Sequence, residues 1–292
     1  MTDFEEINNR LIGVYGDPSE EFACKLHSNP SCRNRADGSD EAVDVLVETV
    51  LSQNTTDKNS HCAFLNLKRR WPLWSQVMTC DEKDLAAEIR VGGLAAIKAG
   101  RIKKILAVLL EKTVASDPSK KGEAVVEPTL HFLDRMKNDE VMKALQDLPG
   151  VGPKTAACTM LFGLGRECIP VDTHVFRIST KLGATRGTTP EAVQAELEDL
   201  IPPHVKLPLH LLFLEHGRHV CTARKAMCNS CVIADLCATG RKTVRRRKTP
   251  VKEEKDAPTE VKEVDVEEKE CKAVSATVKQ EPPCKKIKIE EK

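Results

Sequence analysis

The stretch Leu148–Arg177 reads LPGVGPKTAACTMLFGLGRECIPVDTHVFR and carries the residues best suited to chemistry. Pro149-Gly150-Val151-Gly152 is a tight turn by composition, because glycine permits sharp backbone bends and close approach of a ligand. Pro153 suits the first position of a helix, which places Lys154 in its first turn. Outward-pointing N–H groups of such a turn and helix start attract anions, a phosphate above all. The positive end of the helix, with partial burial, disfavours an ammonium and so favours a neutral, nucleophilic amine at Lys154. Asp172 follows Ile169-Pro170-Val171 and suits the N-cap of a second helix. Val175, Ile178, Ser179 and Leu182 give that helix an apolar face. A carboxylate at Asp172 can accept or relay a proton, or stabilise a developing cation. Singly, these features read as a helix corner, a solvated lysine and a plain cap. Their succession points to a site.

Cys221, Cys228, Cys231 and Cys237 are spaced C-x6-C-x2-C-x5-C. Four thiolates so close together suit a tetrahedral zinc ion or an iron–sulfur cluster, and spacing alone leaves both open. The chain has 12 cysteines and an acidic start without an apolar signal, so a reducing compartment is expected, with disulfides disfavoured. Cys24 and Cys32 are too isolated to be ligands. His174, His210 and His216 fit no zinc spacing and are assigned to the core or to a DNA-facing surface.

The runs LPGVGPKTA and VDTHVFR, with the cysteines downstream, resemble the helix-hairpin-helix Gly/Pro-Asp signature of the endonuclease III family of DNA glycosylases, in pieces from about Val43 to Cys237. Carried over by position, the resemblance makes Lys154 the nucleophile, Asp172 its assistant, and the four cysteines the ligands of a [4Fe–4S] cluster. It makes Leu148, Gly150, Gly152 and Thr155 of the hairpin contacts to DNA, together with Arg224 and Lys225 of the cysteine loop. The family's turn is commonly G-V-G-R-K; here Pro153 precedes the lysine and removes one phosphate contact. Ser52-Gln53-Asn54-Thr55-Thr56-Asp57, by itself a polar turn and helix cap, aligns with the loop that enters the duplex. Typical members read S-A-Q-A-T-D there, and the S-Q-N form is closer to plant 5-methylcytosine glycosylases. Gln53 or Asn54 would then fill the gap left by a flipped base, with Asp57 near the lesion pocket. Gly92-Gly93-Leu94 resembles a second intercalating loop, with Leu94 as its wedge. Lys98, Arg101, Lys103 and Lys104, just after it, read as a solvated basic helix face.

The implied activity is that of a bifunctional DNA glycosylase/AP lyase in base excision repair. It would remove damaged bases, oxidised pyrimidines in particular, through a lysine Schiff base and β-elimination. The alternatives are a 5-methylcytosine or mismatch DNA glycosylase, and a non-catalytic helix-hairpin-helix DNA-binding protein. Adenine-mismatch members generally lack the hairpin lysine, and the plant demethylases are far longer chains.

These residues need elements to hold them. Apolar residues recur at helical spacing in Val43, Leu46, Val47, Val50 and Leu51, and again from Phe64 to Trp71, from Leu130 to Met136, over Pro190–Ile201 and over Leu207–Gly217. Pro202-Pro203 reads as a stop between the last two. No strand pattern appears, and no run is long enough to span a membrane. The 292 residues suffice for two small domains. A net charge of +1 means that any attraction to DNA is local, and 3% aromatics argue against stacking platforms. The expected fold is all-α, with two helical domains flanking a DNA-binding cleft, the hairpin motif, a C-terminal iron–sulfur loop and a disordered tail. Residues 1–40 would pack with the cluster domain. Residues 41–165 form the bundle ending in the hairpin, 166–238 the second domain, and 239–292 the tail. The basic run Arg241–Lys248 reads as a nuclear-import signal or a DNA-contacting arm, and Pro282–Lys288 as a weaker import signal. Val251–Glu254, Val278–Glu281 and Ile287–Glu290 resemble sumoylation acceptors. The expectation is a nuclear monomer acting on double-stranded DNA with damaged bases or abasic sites.

Overall fold

The computed structural model describes residues 2–19 and 40–248, the last four without their side chains. Twelve α-helices lie within them: α1 (Phe4–Tyr15), α2 (Glu41–Ser52), α3 (Asp57–Arg70), α4 (Trp74–Thr79), α5 (Glu82–Glu88), α6 (Ala95–Ser116), α7 (Asn138–Gln146), α8 (Pro153–Cys158), α9 (Thr173–Leu182), α10 (Pro190–Leu200), α11 (Pro203–His219) and α12 (Ala238–Lys248). Among the described residues there is no strand, only an isolated bridge between Cys221 and Ala226. None of their helices is long and apolar enough to cross a membrane.

Two apolar cores form. In the first, Leu46, Val47 and Val50 of α2 bury against Ile102 and Ile105 of α6 and Leu145 of α7. In the second, Phe4, Ile7 and Leu11 of α1 meet Val175 and Ile178 of α9 and Phe213 of α11. The helix starts that bear on the site are capped as their sequences dictate. Asp40, fully buried, accepts from Ala42 N–H through Oδ1 (2.9 Å) and from Leu130 N–H through Oδ2 (2.8 Å), tying α2 to the far end of its bundle.

Four sequence expectations are corrected. Leu130–Met136 forms only a single 3₁₀ turn at His131–Leu133, because the Arg166 guanidinium takes the carbonyls of Leu133, Asp134 and Met136. Those carbonyls would otherwise serve a helix. Pro203 opens α11 instead of only ending α10, since a proline at a helix start forfeits no hydrogen bond. The basic stretch to Lys248, assigned to a disordered tail, is helical in α12. Its base is tethered by Thr239 Oγ1 donating to Lys181 O (2.9 Å) and Arg241 Nη1 donating to Asp235 O (3.1 Å). Lys98, Arg101 and Lys103 turn inward: Lys103 donates to Cys80 O, and the other two are described below. The sumoylation-like tetrapeptides, the second import-like run, the rest of the tail, Cys24 and Cys32 lie outside the described residues.

Candidate active site

The hairpin divides its work between two glycines. Gly150 adopts φ +71°, and a Cβ there would lie 2.1 Å from Arg101 Nε, so only glycine serves. Gly152 has ordinary φ, is exposed, and has open space where a Cβ would sit. Its N-cap position therefore leaves the start of α8 accessible to a phosphate. α8 begins at Pro153 and continues into a π-helical turn, Thr159–Gly163. A Cβ on Gly163 in that turn would come within 3.2 Å of Ala42 Cα, so the absence of a side chain lets the turn close on α2.

Lys154 projects from the first turn of α8 and is exposed, not partly buried as the sequence suggested. Its position on the rim of an open cleft leaves desolvation to whatever covers it. Asp172 caps α9 through Oδ1, which accepts from His174 N–H (2.9 Å) and Val175 N–H (2.8 Å). Oδ2 is outside the cap. Lys154 and Asp172 share one cleft of about 460 Å³, a volume typical of ligand sites. Gln53, Lys154 and Thr155 line it from the first core's side, and Asp172, Phe176 and Gln194 from the second's. Beneath them, burial pushes the Cys158 thiol up to about 11, with the Lys154 and Asp172 charges acting on it in opposite senses. Burial lowers His210 to about 4 against the opposing pull of Asp172. Its Nδ1 lies 3.0 Å from Pro170 O, so a neutral ring supports the chain two residues before Asp172.

The two loops beside the hairpin are built alike. Asn54 (φ 54°) and Leu94 (φ 49°) are the non-glycine residues with positive φ among the described residues. Such strain persists only where surrounding structure enforces it, and it gathers at functional loops. Asn54 is exposed and Leu94 is 51% exposed. Gln53 is committed instead: its Nε2 donates to Thr155 Oγ1 (3.1 Å) and Gly150 O (3.3 Å), and its Oε1 accepts from Arg101 (2.5 Å). Lys98, 1% exposed, donates to Leu51 O (2.7 Å) and Gly92 O (2.8 Å), at the roots of the two loops. Burial lowers its pKa, and Arg101 adds to the effect. Sequence reading missed this clamp, although position 98 falls on the same helical stripe as Ile102, Ile105 and Leu109.

Other expected contacts are placed less openly. Leu148 is buried, so only its backbone is available to a ligand, and the Thr155 hydroxyl is taken by Gln53. Asp57 pairs with Arg218 of α11 (2.6 Å). His210 and His216 are core residues, and His174 packs on Gly217.

The four cysteines line one almost wholly apolar cavity, and none is in a disulfide. No three of these or other donors among the described residues converge as for a single metal ion. Burial raises the Cys221 thiol and pushes Cys231 up to about 11, so thiolates there require a cationic partner. Four soft donors lining one apolar cavity suit an iron–sulfur cluster or a zinc ion by their chemistry. Between the first two cysteines the chain folds back through Thr222, whose hydroxyl donates to Lys225 O (2.7 Å). This exposes Arg224 and Lys225. Arg177 links the loop to α9 by donating to Cys221 O (2.9 Å).

Residues 47–203 match the HhH-GPD superfamily of base excision DNA repair proteins. The chain is 30% identical over 269 residues to an Arabidopsis thaliana protein named for DNA glycosylase activity, covering 87% of this chain and 82% of that one. It is 33% identical over 193 residues to endonuclease III of Treponema pallidum, covering 66% and 82%. A solved structure of endonuclease III trapped as a covalent intermediate with DNA superposes with a TM-score of 0.58 at 27% identity, over 84% of this chain and all of that one. The chain therefore belongs to the HhH-GPD superfamily of base excision DNA repair proteins and is an endonuclease III-like DNA glycosylase.

Proposed function

We propose that the protein binds double-stranded DNA, removes an oxidised pyrimidine and then cleaves the strand through a lysine Schiff base. The observation that carries this reading is the shared cleft of Lys154 and Asp172 at the mouth of a phosphate-accessible helix start. The hairpin amides hold a backbone phosphate while Asn54 and Leu94 enter the space of the extruded base. The Lys154 amine forms a bond to the sugar C1′ as the glycosidic bond breaks. The departing base keeps the electron pair and takes up a proton. Asp172 stabilises the cationic sugar and receives the amine proton. Ring opening gives the Schiff base, loss of a C2′ proton breaks the C3′–O bond, and the strand is nicked 3′ to the lesion. The oxidised-pyrimidine class follows from the resemblance to endonuclease III and is open to test with single-lesion duplexes.

The four cysteines would hold a [4Fe–4S] cluster. When bound, that group contributes cross-linking, holding the 222–227 loop so that Arg224 and Lys225 meet phosphates; it supplies no reacting atom.

Borohydride tests the lyase step. Wild type should form a covalent adduct with an abasic-site duplex, whereas Lys154→Gln should form none and lose strand cleavage while retaining duplex affinity. Cleavage by Lys154→Gln at the wild-type rate would remove the lysine from the mechanism.

A further inference from the structure

Gln194 lies on the inner side of α10 with 7% of its surface exposed, and it lines the cleft shared by Lys154 and Asp172. Its amide has no hydrogen-bond partner among the described residues. Neither amide atom is sealed from solvent, so the group opens unpaired onto the cleft. Neighbouring Val193 and Leu197 are wholly buried in the second core and supply the helix's packing, while Gln194 lines the cleft. The cleft's other polar groups are spoken for or peripheral. Gln53, Thr155 and Asp172 already hydrogen-bond within the protein, while Lys154, Thr173 and Glu191 are exposed.

We propose that Gln194 reads the hydrogen-bonding edge of the extruded base, an inference that rests on the glycosylase reading above. A carboxamide presents one acceptor and one pair of donors side by side. A pyrimidine offers the complement at N3 and the 4-substituent. Thymine- and uracil-derived lesions present N3–H and O4, and cytosine-derived lesions present N3 and N4–H. The amide meets the first set in one orientation and the second after rotation by 180°. With no partner among the described residues to fix its orientation, Gln194 adapts to both. Phe176 and Val171 supply apolar wall beside it, against which such a pair is shielded from water. The structure thus assigns tolerance of both oxidation series to one side chain.

The test exploits a substrate that has no base. Gln194→Leu should lower the ratio of thymine glycol excision to abasic-site nicking, measured on otherwise identical duplexes, by about 10- to 100-fold, the loss of one or two hydrogen bonds. An unchanged ratio, whether through equal losses or none, overturns the assignment. Gln194→Glu conserves size and the acceptor but removes the donor. It should impair excision of thymine glycol, whose O4 needs a donor, and of 5-hydroxycytosine, whose N3 needs one, while abasic-site nicking is kept. Impairment of one series alone, or of neither relative to nicking, counts against the proposal even if the leucine variant folds poorly. Failure of wild type to nick the abasic duplex is a separate result: it sinks the lyase reading, and this inference with it.

Discussion

At the scale of single residues, His210 shows how the site is supported from below. Its ring is wedged under the Pro170 carbonyl and edge-on to Phe162, with centroids 5.7 Å apart. Burial holds its pKa near 4 instead of 6.5. The folded protein therefore refuses a proton that the unfolded chain accepts between these values. Stability from the neutral ring is complete above pH 6.5 and declines as pH falls toward 4, by at most about 3 kcal/mol at 1.36 kcal/mol per unit. Thermal melts across this range should show His210→Phe losing less stability on acidification than wild type. Parallel curves would place the titration elsewhere. The same scale shows what sequence could not convey about Lys98. A lysine among lysines looks solvated, and only its register with Ile102 and Ile105 hints that it points inward.

At the scale of elements, the hairpin and its two helices were legible in full. Glycine, proline and aspartate each impose a local geometry that needs no tertiary partner: the turn at Gly150, the start at Pro153 and the cap at Asp172 all follow from it. Elements set by distant partners were not legible. No local signal reveals that Arg166 takes the carbonyls of Leu133, Asp134 and Met136, or that Gln53 is drawn into the hairpin while Asn54 is left exposed. The hairpin turn is also where backbone and packing demands coincide. Gly150→Ala places a methyl group against the Arg101 guanidinium at a positive φ, and should destabilise the protein by about 1–3 kcal/mol. Denaturant titration measures the cost, and duplex affinity should fall with it as Arg101 is displaced from Gln53. A neutral substitution would mean that the turn relaxes freely.

At the scale of the whole described chain, the cleft draws its walls from both cores, while the cysteine loop offers positive charge on a separate short arm. With a net charge of only +1, attraction to DNA must be concentrated in such places. Replacing Arg224 and Lys225 together by alanine should weaken binding to damaged and undamaged duplexes alike. It should also flatten the dependence of log affinity on log salt by about one per residue. An effect confined to damaged duplexes would instead place these side chains at the lesion. The cavity behind that arm was legible in the sequence as four cysteines, but its apolar lining was not, because spacing along a chain does not show what packs around it.

The Lys98 ammonium has a larger consequence than its two hydrogen bonds suggest. One cation, out of reach of water, is shared by the carbonyls at the bases of both loops that carry strained, solvent-facing tips. Neither tip can shift without loosening the anchor of its neighbour. Damage to one is thereby transmitted to the other, and in the function proposed above the pair would enter or leave a duplex as a single mechanical part.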